Sequence, residues 1–169
     1  MGFADIRLQA EPVSWTRYFA QNIRIPSSTN AGQSFNVYFT PPSSPNAPVY
    51  VFHHGAGSSG LSFSLVAQHL STHLSAGIIS YDVRHHGLTT INEDAEWDLS
   101  LSTLANDQVD VIQGVARHAN WSTRDGGWPD LILVGHRSTT HNPINVVWVA
   151  RSPHTSPLNL FSREFYVFV

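Results

Sequence analysis

The chain of 169 residues contains no cysteine and no lysine. Without cysteine it forms neither disulfide bonds nor thiolate zinc sites, although this absence does not fix the cellular compartment. The nine basic residues are all arginines, they do not cluster, and the formal net charge is -3. Because a surface that binds nucleic acid needs clustered positive charge, we expect no nucleic-acid partner.

Long apolar runs are also missing, so the sequence predicts no membrane-spanning segment. The first residues, MGFADIRL, include Asp5 and Arg7 and lack the apolar core of a signal peptide. The expectation is therefore a cytoplasmic or nuclear protein. An apolar content of 41% is typical of a globular protein, and the length favours a single domain over residues 1–169.

Strand-like and helix-like segments alternate through the middle of the chain. Short apolar runs predict strands at Val49–Phe52, Ile78–Tyr81 and Leu131–Val134. Apolar residues at helical spacing lie between them, at Phe63, Val66, Ala67, Leu70 and Leu74 and at Leu104, Val111, Ile112, Val115 and Ala119. This order predicts an α/β fold with a mostly parallel sheet flanked by helices and right-handed crossovers.

Local signals give further expectations about these elements. Gly77 is placed to end the first helix as a C′ glycine, and Ser102 or Thr103 to cap the second. Upstream, Ser34–Thr40 alternates apolar and polar residues, which predicts a strand with one buried face.

A glycine-rich turn, His54-Gly55-Ala56-Gly57, follows the first of these predicted strands. In an α/β hydrolase the corresponding loop supplies a backbone N–H group to the oxyanion hole, where one such donor contributes a few kcal/mol. The alternative is a tight strand-to-helix turn without a catalytic role. A phosphate-binding loop is disfavoured because the G-x-G-x-x-G spacing and the Walker lysine are absent.

Polar residues and histidines also follow the first two of these strands. Asp82 and Arg84 are expected to hold their loop by charge-assisted hydrogen bonds, with Gly87 permitting the turn. Four imidazoles can in principle bind zinc, but neighbours on a strand end point to opposite faces and do not easily converge; they are His53, His54, His85 and His86. His69 and His73 have helical spacing without the glutamate of H-E-x-x-H, which favours a surface position.

The strand Leu131–Val134 runs into Gly135–Thr139, which occupies the frame of a G-x-S-x-G nucleophile elbow. Arg137 stands in the nucleophile position and Thr139 in that of the closing glycine. Arginine is not deprotonated in proteins and cannot attack an ester. The candidate nucleophile is therefore Ser138, one residue past the apex of the turn.

The remaining members of a catalytic triad are not found in the required order. In this fold the order along the chain is nucleophile, acid, histidine. After Ser138 the sequence has a single acid, Glu164, and it follows both His141 and His154. The triad therefore cannot be completed from these residues.

Five segments together resemble protein phosphatase methylesterase, a serine carboxylesterase with the α/β-hydrolase fold. The resemblance covers about residues 12–136, and the segments are Pro12–Phe19, with its Trp-x-x-Tyr-Phe sequence, His54–Gly57, Asp82–Gly87, Asp98–Asp107 and Leu131–His136. It implies removal of the methyl ester from the C-terminal leucine carboxylate of a protein phosphatase catalytic subunit, which would be the partner, and it implies no cofactor. By position, Gly55 and Ala56 match the oxyanion hole, and Gly135 and His136 match the start of the elbow.

The resemblance ends at His136, and residues 137–169 form a divergent tail. We hypothesise that this tail arises from a retained intron, a frameshift or a faulty gene model, which transcript sequencing would decide. The domain is then a partial hydrolase fold, truncated after the elbow strand, in which Leu131–Val134 is expected at a sheet edge and Ile144–Ala150 and Glu164–Val169 as isolated strands. The alternatives to an inactive esterase are a non-catalytic fragment that binds the phosphatase and a small histidine-based metal protein.

Overall fold

The computed structural model describes residues 14–44, 46–92, 97–121, 128–135, 147–152 and 166–168. Within these residues a single sheet contains seven strands: β1 (Gln21–Pro26), β2 (Ser34–Thr40), β3 (Val49–His53), β4 (Gly77–Tyr81), β5 (Leu131–Gly135), β6 (Val147–Ser152) and β7 (Tyr166–Phe168). The helices are α1 (Ser64–Leu74) and α2 (Leu101–His118), with short 3-10 turns at Trp15–Arg17 and Gly60–Phe63.

The strands lie in the order β1-β2-β4-β3-β5-β6-β7. The three central strands, β4, β3 and β5, are parallel, and all other neighbouring pairs are antiparallel. The predicted partial α/β fold is confirmed, but the sheet is mixed, with parallel pairing confined to its centre. None of the described helices has the length and apolar character needed to cross a membrane.

β5 is not a sheet edge, so that expectation is wrong. β6 runs antiparallel to β5, with Leu131 opposite Ser152 and Leu133 opposite Ala150. β7 in turn pairs with β6, so these two strands are not isolated either. An antiparallel neighbour satisfies the free backbone groups of β5 without the crossover helix that a parallel neighbour needs.

Period-two alternation distributes the apolar side chains of the central strands over both faces of the sheet. One face joins strands β1 to β5 to α2 in a core that includes Phe35, Val37, Phe39, Val49, Val51, Ile79, Tyr81, Val111, Ile112, Val115, Leu131 and Leu133. The other face carries a smaller cluster of Phe19, Tyr38, Phe52, Ala67 and Ile78 under α1 and the N-terminal 3-10 turn. The sheet is thus covered by a helix on each side.

The two faces are not covered equally. In β2 the predicted solvent side is buried as well, because Tyr38 packs against Phe19 with ring centroids 5.3 Å apart. On α1 the predicted apolar face is only partly covered, since Ala67 is buried but Val66 is 50% exposed and Leu74 is 54% exposed. Hydrophobic spacing therefore identified the helix but not how much of it is buried.

The ends of both helices differ from the expected caps. α1 ends at Ser75, which adopts the left-handed conformation with φ 55°, whereas Gly77 is already the first residue of β4. Glycine is needed at 77 for space, because an added Cβ would lie 2.7 Å from Val49 Cγ2. Ser100, rather than Ser102 or Thr103, caps α2, and its hydroxyl accepts the Thr103 N–H.

Close packing between α2 and β1 predicts the effect of one substitution. A Cβ added at Gly114 would lie 2.1 Å from Ile25 Cγ2. We expect Gly114→Ala to lower the free energy of unfolding by about 1–3 kcal/mol, the usual cost of overpacking, despite the helix preference for alanine. Chemical denaturation measures this, with the exposed position Asn106→Ala as the control on the same helix. An unchanged or raised midpoint in Gly114→Ala contradicts the prediction.

Candidate active site at the carboxyl edge of the sheet

The parallel register brings three strand ends to one edge of the sheet. His53 at the end of β3 is level with Tyr81 of β4 and with Gly135 of β5. The loop of residues 54–60, named here the glycine loop, and the loop of residues 82–89, named the DxRxHG loop, therefore start side by side. Ligands of open α/β sheets bind at this edge.

The elbow candidates fall almost entirely beyond the described part of the chain. Gly135 is the last residue of β5 and is partly exposed. His136, Arg137 and Ser138 lie outside the described residues, so their predicted roles stay predictions. Gly55 and Ala56, the candidate oxyanion-hole residues, are both described, the first buried and the second exposed.

The Asp82 carboxylate joins the two loops to each other and to the sheet. It is fully buried. Its Oδ1 accepts the Gly60 N–H at 2.7 Å, and its Oδ2 accepts the Leu88 N–H at 2.9 Å and the Asn36 side-chain amide at 3.0 Å. The predicted structural role of Asp82 is confirmed.

Glycine is required where the DxRxHG loop closes around this carboxylate. Gly87 has φ 52°, and an added Cβ would lie 2.2 Å from Asp82 Oδ2. His85 also takes a positive φ, 60°, and its ring stacks on Trp97 with centroids 4.1 Å apart. The prediction that Gly87 permits the turn is confirmed, and it also leaves room for the carboxylate.

Arg84 fixes the same loop to the helix behind the sheet. Its guanidinium forms a bidentate pair with Asp107, with Nε to Oδ2 at 2.6 Å and Nη2 to Oδ1 at 2.7 Å. Hydrogen bonding to Asp107 raises the pKa of Arg84. Both residues are buried, so removing either one would leave the other charge unpaired, which is strongly destabilising.

His54 bridges the glycine loop and the DxRxHG loop. Its Nε2 accepts the Val83 N–H at 3.0 Å, so its Nδ1 carries the proton and donates to Gly55 O at 2.8 Å. Burial lowers the pKa of His54, an effect opposed by that bond to Gly55. In a trans peptide the C=O and N–H point in opposite directions. Fixing the Gly55 carbonyl therefore turns the Ala56 N–H away from His54.

His86 contacts the same glycine loop at Gly57. Its Nε2 accepts the Gly57 N–H at 3.2 Å, and its Nδ1 donates to Arg84 O at 2.9 Å. The ring lies edge-to-face against His54, with centroids 5.1 Å apart. Gly57 has φ 73°, a conformation that favours glycine.

His53 is the third imidazole at this edge. Its Nδ1 shares a hydrogen bond of 2.6 Å with the Tyr81 hydroxyl. Burial, followed by the proximity of His54 and His86, lowers the pKa of His53 to about 4. Burial also raises the pKa of Tyr81 well above its usual value. Both groups are therefore uncharged at neutral pH.

The geometry gives no support to the zinc hypothesis. Both ring nitrogens of His54 and of His86 are occupied by backbone groups. His85 stacks on Trp97, and the remote pair His69 and His73 is exposed on α1. Over the described residues, no three His, Cys, Asp or Glu side chains are arranged to hold a metal ion.

Most backbone N–H groups of the glycine loop have an acceptor. The N–H of Gly57 bonds to His86, that of Ser58 to Gly55 O, and that of Gly60 to Asp82. Among the hydrogen bonds between described residues, none uses the N–H of Gly55 or of Ala56 as donor. Within the described part of the chain, the N–H groups of Gly55 and Ala56 therefore have no acceptor.

The chain is similar in sequence and in structure to known proteins. Protein phosphatase methylesterase 1 of Gibberella zeae is 38% identical over 127 residues, which is 75% of this chain and 30% of that protein. Its counterpart from Aspergillus fumigatus is 41% identical over 130 residues, 73% of this chain and 30% of that protein. The chain is related in sequence to the protein phosphatase methylesterases.

The sequence similarity covers only part of the length of these methylesterases. The chain spans about 30% of the length of these curated relatives. An esterase from Pyrococcus furiosus has a similar structure, with a TM-score of 0.56 over 75% of this chain and 44% of that protein, at 13% identity. That likeness shows the α/β-hydrolase fold alone. No family model matches the chain.

Two residues that bond to the loops at this edge of the sheet were not singled out from the sequence. The alternation in Ser34–Thr40 predicts that the polar Asn36 faces solvent, but Asn36 is fully buried between Asp82 and Asn22, whose amide donates to its Oδ1 at 2.9 Å. Asp107 belongs to the resembling segment Asp98–Asp107, but the sequence analysis gives it no role of its own. A usable signal existed for it, because Asp107 lies three residues after Leu104 and four before Val111, on the apolar face of the helix.

The low pKa of His53 predicts how stability depends on pH. An unfolded histidine gains a proton as pH falls through about 6.5, whereas native His53 does so only near pH 4. The unfolded state binds more protons in this window, so stability falls on acidification. We expect His53 to account for a loss of up to about 3 kcal/mol between pH 7 and pH 4.

Denaturation of wild type and His53→Gln across this pH range tests the expectation. Glutamine can still bond to Tyr81 but does not titrate, so the variant should lose less stability on acidification. Taking the difference between the two proteins removes contributions from other groups, including His54, whose pKa is also lowered. Parallel stability curves for the two proteins contradict the prediction.

Proposed function

We propose that this chain carries the oxyanion side of a protein phosphatase methylesterase site and does not hydrolyse esters as its sequence stands. One observation carries the proposal: the N–H groups of Gly55 and Ala56 lack acceptors among the described residues, while their neighbours in the glycine loop are occupied. Donors held in this way suit a developing negative charge on a carbonyl oxygen, because they need no reorganisation during the reaction.

The proposed substrate class follows from the relatives, which are named protein phosphatase methylesterase. The ester would be a methyl ester on a protein phosphatase catalytic subunit, with the carbonyl oxygen bound by Gly55 and Ala56. Because Arg137 occupies the nucleophile position and no acid precedes a histidine after Ser138, the sequence provides binding without a complete triad.

Single-turnover cleavage of methyl and p-nitrophenyl esters tests the catalytic part. We expect no more than trace hydrolysis from wild type, since loss of a triad lowers kcat by about 10⁶ in a serine protease. Arg137→Ser should not restore activity, because it supplies neither the acid nor the histidine. Ser138→Ala is the matched variant: if wild type is active and Ser138→Ala abolishes the activity, then Ser138 is a working nucleophile and the proposal is wrong.

A second candidate function is binding to the phosphatase without catalysis. It is favoured by exposed apolar side chains in and after the DxRxHG loop: Leu88 is 58% exposed and Trp97 is 73% exposed. Trp97 stacks on His85 of the DxRxHG loop, and that loop starts beside the glycine loop.

A pull-down with phosphatase catalytic subunit tests the binding function. We expect capture by wild type and weaker capture by Trp97→Ser. The control is Leu65→Ser on α1, where the side chain is also exposed, at 72%. Equal capture by both variants argues against this surface, and a serine-directed fluorophosphonate probe separates binding from catalysis.

A further inference from the structure

The glycine loop has several successive backbone N–H groups, and only some of them have an acceptor among the described residues. Those of Gly55 and Ala56 have none there, whereas the next N–H, that of Gly57, donates to His86. Gly57 is exposed, and nothing within 4 Å surrounds the position that a Cβ would occupy. Without His86, the Gly57 N–H would have no acceptor among the described residues and could compete for the same ligand.

His86 is itself held firmly in the orientation that this contact needs. Its Nδ1 donates to Arg84 O at 2.9 Å, which leaves the Nε2 lone pair for the Gly57 N–H. Arg84 is in turn paired with Asp107 of α2. The His86 ring is thus connected to α2 through two successive contacts, first to Arg84 and then from Arg84 to Asp107.

His54 supports the same arrangement at the Gly55 end of the loop. It holds the Gly55 carbonyl, which also accepts the Ser58 N–H at 3.2 Å. The peptide between Gly55 and Ala56 is thereby fixed on its carbonyl side. Its N–H side has no acceptor in the described ranges and lies next to the Gly57 N–H, which bonds to His86.

We propose that His86 is a positioning residue of the glycine loop: by occupying the Gly57 N–H, it leaves the Gly55 and Ala56 groups as the oxyanion donors. This inference rests on the proposed function for the ligand that those donors receive. His86 acts through the loop and makes no contact with the reacting atoms in this role.

Nuclear magnetic resonance of the full chain tests the hydrogen bond directly. In wild type we expect a scalar coupling across the bond between Gly57 N and His86 Nε2, a measurement that needs no variant. His86→Phe should speed exchange of the Gly57 amide proton by up to about tenfold, the factor for one hydrogen bond of ordinary net strength. His86→Gln should restore slow exchange because its side-chain oxygen can accept the N–H.

The neighbouring histidine gives a matched control. His85→Phe changes an aromatic residue one position away, whose ring stacks on Trp97 rather than on the glycine loop. It should leave the exchange of the Gly57 amide unchanged. Absence of the coupling in wild type, or equal effects of His85→Phe and His86→Phe, overturns the inference while the proposed function stands.

Titration with acetate, a small carboxylate, tests which N–H groups receive an anion. In wild type acetate should shift the amide resonances of Gly55 or Ala56 and leave that of Gly57 in place. In His86→Phe the Gly57 resonance should shift as well, and His86→Gln should restore the wild-type result. If the Gly57–His86 coupling is present but acetate shifts neither Gly55 nor Ala56, the proposed function fails, and the positioning role fails with it.

Discussion

The buried carboxylate of Asp82 is the contact on which the candidate site depends. It binds Gly60 of the glycine loop, Leu88 of its own loop and Asn36 of the neighbouring strand. Hydrogen bonds to a charged group contribute about 1.5–3 kcal/mol each, and an ion this deep is tolerated only when its oxygens are bonded. The two loops therefore cannot separate without exposing this group or leaving it unsatisfied.

That constraint determines what the glycine loop can do. With Gly60 held by Asp82 at one end and the Gly55 carbonyl held by His54 at the other, the loop has little freedom between them. Preorganised backbone donors stabilise charge better than mobile ones because no energy is spent in orienting them. The same framework accounts for the histidines at this edge, whose described bonds position backbone and a tyrosine rather than a metal.

The relationship to protein phosphatase methylesterase accounts for one side of the site and not the other. The aligned length of 127 residues is close to that of the region 12–136 in which the resembling segments lie. Beyond β5 the sheet continues with antiparallel strands, whereas the sequence predicts a fold truncated after this strand. Under the proposed function, this edge binds an ester without hydrolysing it, because Arg137 stands in the nucleophile position.

The sequence alone determined the order of strands and helices from residue 34 to residue 135, because hydrophobic period and glycine punctuation are local properties. It also indicated the glycine loop and the structural role of Asp82 and Arg84, since charged residues at a buried strand end need partners. Tertiary structure alone decided that Asp107 is the partner of Arg84, that Asn36 is buried and that β6 covers β5. Each of these three features depends on which segments meet in space. Packing between residues far apart in the chain fixes those meetings, and a local sequence pattern does not record it.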